Sequence, residues 1–196
     1  MMEYDMFDSL NIAKSGVRRD LLSLFFTNPE QKYYLRQLER LLGYSAGNIR
    51  RELLRLLGDR LFKTEKVGNL LFYSLNINHP LYEELKSIIF KTIGVEGSMR
   101  NALSTMKNIK TAFICGSFAS KNEKKDSDID VMIIGDPEIS ELNGIIRELE
   151  KKLKREINPT VYSLREYRAK KKDKRGFILE LLKSPKMMLI GSENDL

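Results

Sequence analysis

The spacing of apolar residues changes part-way along this chain, and no single repeating architecture satisfies both patterns. Up to Met106 most apolar residues recur at helical spacing, interrupted by one pair of short extended stretches. From Thr111 onward, β-rich apolar runs alternate with helical segments. A chain of 196 residues has room for two small domains, each able to bury a core. The change of pattern predicts a two-domain chain of α+β and α/β character, with domains over residues 1–95 and 96–196 and a boundary around Val95-Glu96-Gly97.

The first domain opens with three helical segments. Residues 17–26 carry Leu21, Leu22, Leu24, Phe25 and Phe26 and stop at Thr27-Asn28-Pro29, a proline break. Residues 35–42 repeat Leu35, Leu38, Leu41 and Leu42, and end at Gly43, a C-cap signal. Ser45 is placed to cap a third helix over residues 46–57, with Ile49, Leu53, Leu54 and Leu57 on one face and Gly58 closing it. Two extended stretches, 61–67 and 70–75, then flank Gly68-Asn69, a pair tolerant of positive φ, which predicts a β-hairpin. Helix, helix, helix, hairpin is the order of a winged helix-turn-helix. Residues 80–93 follow as a connecting helix and 99–106 as another.

The charge is concentrated in the same region. Residues 10–75 hold twelve Lys and Arg against six Asp and Glu, which accounts for six of the net +7 and leaves the rest of the chain nearly balanced. A basic excess confined to one third of the chain predicts a polyanionic partner there. In a helix-turn-helix the second helix of the pair enters the major groove. Here that helix offers Ser45, Asn48, Arg50, Arg51 and Arg55 to base edges and phosphates, while the hairpin offers Lys63, Lys66 and Asn69 to the backbone. Arg36 and Arg40 are placed to clamp a flanking phosphate. The expected partner is double-stranded DNA, bound by a homodimer on paired half-sites. Two readings compete with it: a solvated helix face that pairs Glu52 and Glu39, and a protein–protein module.

Other features are exclusions. No apolar run approaches the ~20 residues of a membrane span. The opening Met1-Met2-Glu3-Tyr4-Asp5 is acidic and lacks the basic-then-apolar order of a secretory signal. One cysteine, Cys115, excludes an internal disulfide framework, and one histidine, His79, excludes most zinc sites. A cytoplasmic protein with no membrane partner is expected. Cys115 reads as a buried strand residue, His79 as a helix-start feature, and Tyr33 and Tyr34 as packing for the first helices. Lys170-Lys171-Lys172 reads as a solvated run that could add phosphate contact.

In the second domain, runs at 111–115 and 129–134 predict strands, and 137–154 predicts a helix through Ile139, Leu142, Ile145, Ile146, Leu149 and Leu153. A third strand at 157–162 and helical segments up to Pro185 complete it. The sharpest signal is Gly116-Ser117, ten intervening residues, then Asp128-Ile129-Asp130. A strand that ends in Gly-Ser and opens a helix leaves backbone N–H groups and a hydroxyl for phosphate oxygens, and Gly116 permits close backbone approach. Asp128 and Asp130, two apart on a strand, project from one face. Such a pair can hold Mg²⁺, which prefers a few carboxylates plus phosphate oxygens and water. A carboxylate flanked by Ile129 and Val131 is costly unless it has a purpose.

Gly116-Ser117-Phe118-Ala119-Ser120, with Ser127-Asp128-Ile129-Asp130, resembles the signature of the minimal nucleotidyltransferases of the polymerase-β superfamily, over most of residues 98–190. The stretch from Val67 to Asn76, followed by His79-Pro80-Leu81-Tyr82, resembles the wing and connector of prokaryotic regulators that carry such a domain behind a winged helix. The resemblance implies a nucleotidyltransferase-like mixed sheet with flanking helices. It also implies Mg²⁺ or Mn²⁺ on Asp128 and Asp130, and a nucleoside triphosphate such as ATP near Gly116, Ser117 and Ser127. Active members carry a third carboxylate on a later strand; here its places are held by Asn158 or Thr160, with Glu156 at the edge. Members also often have Arg-Gly where this chain has Ser120-Lys121. The leading expectation is a DNA-binding transcriptional regulator whose second domain binds Mg-nucleotide and transfers NMP slowly or not at all. The alternative is an adenylyltransferase antitoxin that modifies a HEPN-type protein partner.

Overall fold

Helix α1 (Gly16–Thr27) starts at Ser15, whose hydroxyl accepts the Arg18 N–H at 3.1 Å, and stops at Asn28, whose side chain and backbone both bond to the Leu24 carbonyl. The computed structural model describes residues 15–120, 127–172 and 176–196, so the acidic opening of the chain and Lys121 lie outside the described residues. Two compact units divide the chain, Met1–Gly94 and Val95–Leu196. Among the described residues no helix is long and apolar enough to cross a membrane.

In the first unit, Tyr33 and Tyr34 form a two-residue strand β1 (Tyr33–Tyr34), where the sequence suggested helix packing alone. Tyr33 pairs with Tyr73 and also meets Phe25 edge-on, 5.1 Å between ring centres. α2 (Leu35–Leu42) ends at Gly43, whose φ of 73° supplies the left-handed cap that the glycine predicted. α3 (Ala46–Gly58) departs from expectation in three ways. Ser45 stands at the N-cap without a side-chain bond; Glu39 Oε1 accepts the Ala46 N–H at 3.2 Å instead. The buried stripe is Ile49, Leu53 and Leu56 with Glu52, whereas Leu54 is 56% exposed, because one residue past Leu53 turns it by about 100° off the stripe. The helix also runs through Gly58, and the chain reverses at Arg60, with φ 58°.

The hairpin forms as β2 (Phe62–Val67) and β3 (Leu70–Leu75), with Val67 opposite Leu70. Gly68 alone takes positive φ, at 58°, the sign pattern of a type II′ turn. β3 lies between β1 and β2, and α4 (Tyr82–Thr92) follows. His79 accepts the Leu81 N–H on Nδ1 at 3.2 Å just before this helix, as a helix-start residue does. The core joins Leu21, Leu24, Phe25, Leu38, Ile49, Leu53, Leu56, Leu75 and Ile89, all essentially inaccessible to solvent. Each such side chain contributes about 1.5–3 kcal/mol by its burial.

The second unit begins with α5 (Val95–Ser104). β4 (Ile109–Cys115), the one-turn α6 (Gly116–Ala119), β5 (Ile129–Gly135), α7 (Ile139–Leu153) and β6 (Ile157–Tyr162) follow. α8 (Leu164–Lys171), α9 (Phe177–Lys183) and β7 (Met187–Ile190) complete it. The sheet is mixed, in the order β6-β5-β4-β7: β5 runs antiparallel to β4 and parallel to β6, and β7 runs antiparallel to β4. α7 makes the crossover that the parallel pair requires. Alternation sorts the strands into two faces. Phe113, Cys115, Met132 and Ile134 pack under Tyr167, Ile178 and Leu181 of the last helices, while Ala112, Ile114, Val131 and Ile133 bury the other face. Cys115 is buried as expected. β7, beyond Pro185, is an element that the sequence pattern did not announce.

Candidate functional site

Three neighbouring strands bring one row of residues together. Cys115 of β4 is the register partner of Asp130 on β5, and Asp130 is the partner of Asn158 on β6. Gly116 follows Cys115 with φ 72°, and a Cβ there would lie 2.6 Å from Asp130 Oδ2. The turn thus presses bare backbone against a carboxylate, which only glycine permits. Asp128, just before β5, accepts a hydrogen bond on Oδ2 from Asn158 Nδ2 at 3.3 Å. Ser117 lies half-buried in α6, and the Ser120 hydroxyl donates back to the Gly116 and Ser117 carbonyls, closing that turn. Asp128, Asp130 and Asn158 are exposed to solvent on the strand ends.

Among the described residues the electrostatics are those of uncompensated negative charge. Crowding by protein lifts the Asp130 carboxyl above its ordinary range, and the charge of Asp128 lifts it further. Among the described residues neither carboxylate has an ion-pair partner. The Cys115 thiol is pushed up to about 11, by burial first and by the Asp130 charge second, so it stays protonated and inert at neutral pH. Its Sγ–H points to the Asp130 carbonyl at 3.6 Å.

Two adjacent carboxylates with no counter-cation among the described residues fit a hard divalent ion, which would take its other ligands from water and phosphate. Among the described residues no group of three or more His, Cys, Asp or Glu side chains is placed to hold a metal ion, and the amide of Asn158 stands beside the pair. The register puts Asn158 level with Asp130, and Thr160 lies one pleat further on, level with Met132. Glu156 precedes β6, and its carbonyl accepts the Ile129 N–H at 2.9 Å.

Sequence reasoning missed Arg155. It is 8% exposed, follows α7, and donates from Nη1 to the Ser127 carbonyl at 3.2 Å. Its guanidinium also lies over the Phe118 ring, 5.6 Å from the centroid. One buried cation thereby ties the turn after β4 to the backbone just before Asp128. Nothing local in the sequence marks it, because both of its partners are distant along the chain.

In the first unit, Ser45, Asn48, Arg50, Arg51 and Arg55 are exposed on α3, and Lys63, Lys66 and Asn69 are exposed on the hairpin. Arg55 is bonded to Glu52 at 2.6 Å, and Arg36 to Glu39 at 2.8 Å, the two pairs that the solvated-face reading anticipates. Glu52 is 5% exposed, so Arg55 serves a buried carboxylate. Arg40 donates to the Tyr34 hydroxyl at 2.9 Å. Arg50 and Arg51 have no such partner among the described residues. Leu54 and, at the hairpin tip, Val67, Leu70 and Leu71 add exposed apolar surface.

Residues 98–190 match the family described as Polymerase beta, Nucleotidyltransferase. The second unit carries a nucleotidyltransferase domain. The matched residues include Gly116, Ser117, Asp128, Asp130 and Asn158, and cover just under half of the chain. A solved structure described as "Crystal structure of the toxin-antitoxin with AMP-PNP" is similar at 15% identity and a TM-score of 0.37, over 51% of this chain and 76% of that one. So distant a likeness carries no inference about function. No curated protein matches the chain.

Proposed function

We propose that the second unit binds a nucleoside triphosphate, ATP in the first instance, with Mg²⁺ or Mn²⁺ on Asp128 and Asp130. The observation that supports this most is the like-charged pair beside the bare Gly116 backbone, with no cation from the described protein to neutralise it. Gly116, Ser117 and Ser127 line the approach for phosphate oxygens. A bound divalent ion would offset the charge that develops on departing pyrophosphate. The rest of the reaction falls to the chain. NMP transfer also needs a group to take the acceptor's proton, and the amide of Asn158, which occupies the position level with Asp130, cannot do so at neutral pH. Nucleotide binding with weak turnover by the chain alone is therefore the reading. Calorimetry with ATP and Mg²⁺, beside incubation with labelled ATP, tests it. Strong labelling lost in Asp128→Ala would replace this reading with an efficient transferase.

The first unit, in this proposal, is a winged helix that holds duplex DNA through α3 and the β2–β3 hairpin, as part of a homodimeric regulator. The support is the exposed Arg50 and Arg51, without acidic partners among the described residues, beside the lysines of the hairpin. The competing reading, a transferase that places AMP on a HEPN-type protein partner, draws on the intact Gly-Ser and Asp-x-Asp spacing. Labelling of such a partner by labelled ATP in the presence of this chain would favour it.

A further inference from the structure

A second charged concavity lies at the opposite ends of the strands. Asp130 and Asn158 stand near the starts of β5 and β6, whereas Asp136 directly follows β5 and Ser163 directly follows β6. Asp136 and Ser163 line a cavity of about 710 Å³ together with Arg165, Arg168 and Lys172. Those three cations are three and four residues apart, which puts them on one face of α8 and its C-cap.

The neighbouring groups explain why this wall is cationic. Lys170 lies over the Tyr162 ring at 5.3 Å, and Lys171 donates to the Leu196 carbonyl, so both are turned to other partners. Glu166, the acid of this helix, is committed to the helix start: it accepts from the Ser163 hydroxyl at 2.8 Å and from the Ser163 N–H at 2.9 Å, and that bonding holds its carboxyl below the ordinary range. The side chains of Arg165, Arg168 and Lys172 have no ion pair or hydrogen bond among the described residues, and Asp136 is the one acid among the described residues of the wall. Among its described lining residues the cavity thus gathers three cations against one carboxylate, a cost in mutual repulsion that an anion would remove.

We infer that this cavity is an anchoring site for the phosphodiester backbone of a single-stranded nucleic acid, separate from the carboxylate pair. Two of the three cations are arginines, whose planar forks suit phosphate better than lysine does. The wall offers no aromatic ring on which a base could stack, so the contact is to backbone and independent of sequence. A single strand is flexible enough to follow a concave wall, whereas a duplex of this length is stiff. The site does not depend on the nucleotide reading of Asp128 and Asp130, or on DNA binding by the first unit.

The test uses the full chain and a labelled single strand of about twelve nucleotides, beside the same sequence as a duplex, read by fluorescence anisotropy over a salt series. The double variant Arg165→Gln/Arg168→Gln should lose about tenfold or more in single-strand affinity at low salt. Its salt slope should flatten by about 1.4, two contacts at about 0.7 each. Asp136→Asn should tighten single-strand binding, a gain that misfolding cannot mimic. Arg50→Gln/Arg51→Gln should leave the single strand bound and weaken only the duplex. The inference is overturned if the α8 variant keeps its single-strand affinity and slope, or if the α3 variant loses both ligands equally. It is also overturned if polyglutamate of matched charge displaces the strand as well as phosphate polymers do, which would assign the cavity to an acidic protein segment.

Discussion

The charged face of α3 and the carboxylate pair of β5 handle charge in opposite ways. On and beside α3 the chain supplies some of its own counter-charges: Glu52 holds Arg55 and Glu39 holds Arg36, while Arg50 and Arg51 have no partner among the described residues. At the start of β5 the described residues supply none, and burial first and the charge of Asp128 second raise the proton affinity of Asp130. Charge that a protein balances internally needs no ligand, whereas charge left unbalanced at a crowded spot is a standing cost. That contrast makes the carboxylate pair the more specific of the two sites.

The largest effect that would sharpen the comparison is a gain. Asn158→Asp should raise labelled-ATP turnover by about 10²–10⁴, the usual worth of a general base, if Asn158 stands where a third acid belongs. No gain would place the missing group elsewhere, with Glu156 the next residue to change. Second in size, Asp130→Asn should weaken Mg·ATP binding on the order of 100-fold by calorimetry, since a metal ligand and a phosphate anchor go together. The same variant should melt slightly higher than the parent without ligand at neutral pH. A carboxyl whose pKa is raised on folding costs stability where it is ionised, so this gain should fade as pH falls below the carboxylate range. Unchanged nucleotide binding in Asp130→Asn would break the contrast between the two regions.

Smaller still is Gly116→Ala, which must fit a Cβ 2.6 Å from Asp130 Oδ2 at a φ of 72°. A loss of about 1–3 kcal/mol in stability, seen as a lower melting temperature, is expected. The smallest effect belongs to the first unit. Arg51→Ala should reduce the salt slope of duplex binding by about 0.9, one phosphate contact. A slope that stays put would leave α3 as a solvated or protein-facing surface, and the internally balanced side of the comparison would then hold for the whole helix.

Much of this was legible because it was local. The Leu35–Leu42 helix, the hairpin around Gly68-Asn69 and the Ile157–Tyr162 strand each declare themselves within a few residues. The motif itself was also local, but the antiparallel register that sets Cys115 opposite Asp130, with Gly116 beside its carboxylate, came from the pairing of two strands. What stayed hidden depends on distant partners. β7 is four residues long and gains its identity from β4, some seventy-five residues earlier. Arg155 is defined by Phe118 and Ser127, and the burial of Glu52 by the core around it. Leu54 misled because consecutive leucines blur which of them faces inward.

The position of β7 in the chain also bears on how the protein is made. β4 stands second from one edge of the sheet only because β7 covers it. During synthesis every other strand of that sheet leaves the ribosome first. Until Met187–Ile190 emerges, β4 presents unpaired N–H and C=O groups along an apolar strand, a template for pairing with a neighbouring nascent chain. Until β7 pairs with it, that open edge of β4 is the part of this sheet that a neighbouring chain could match.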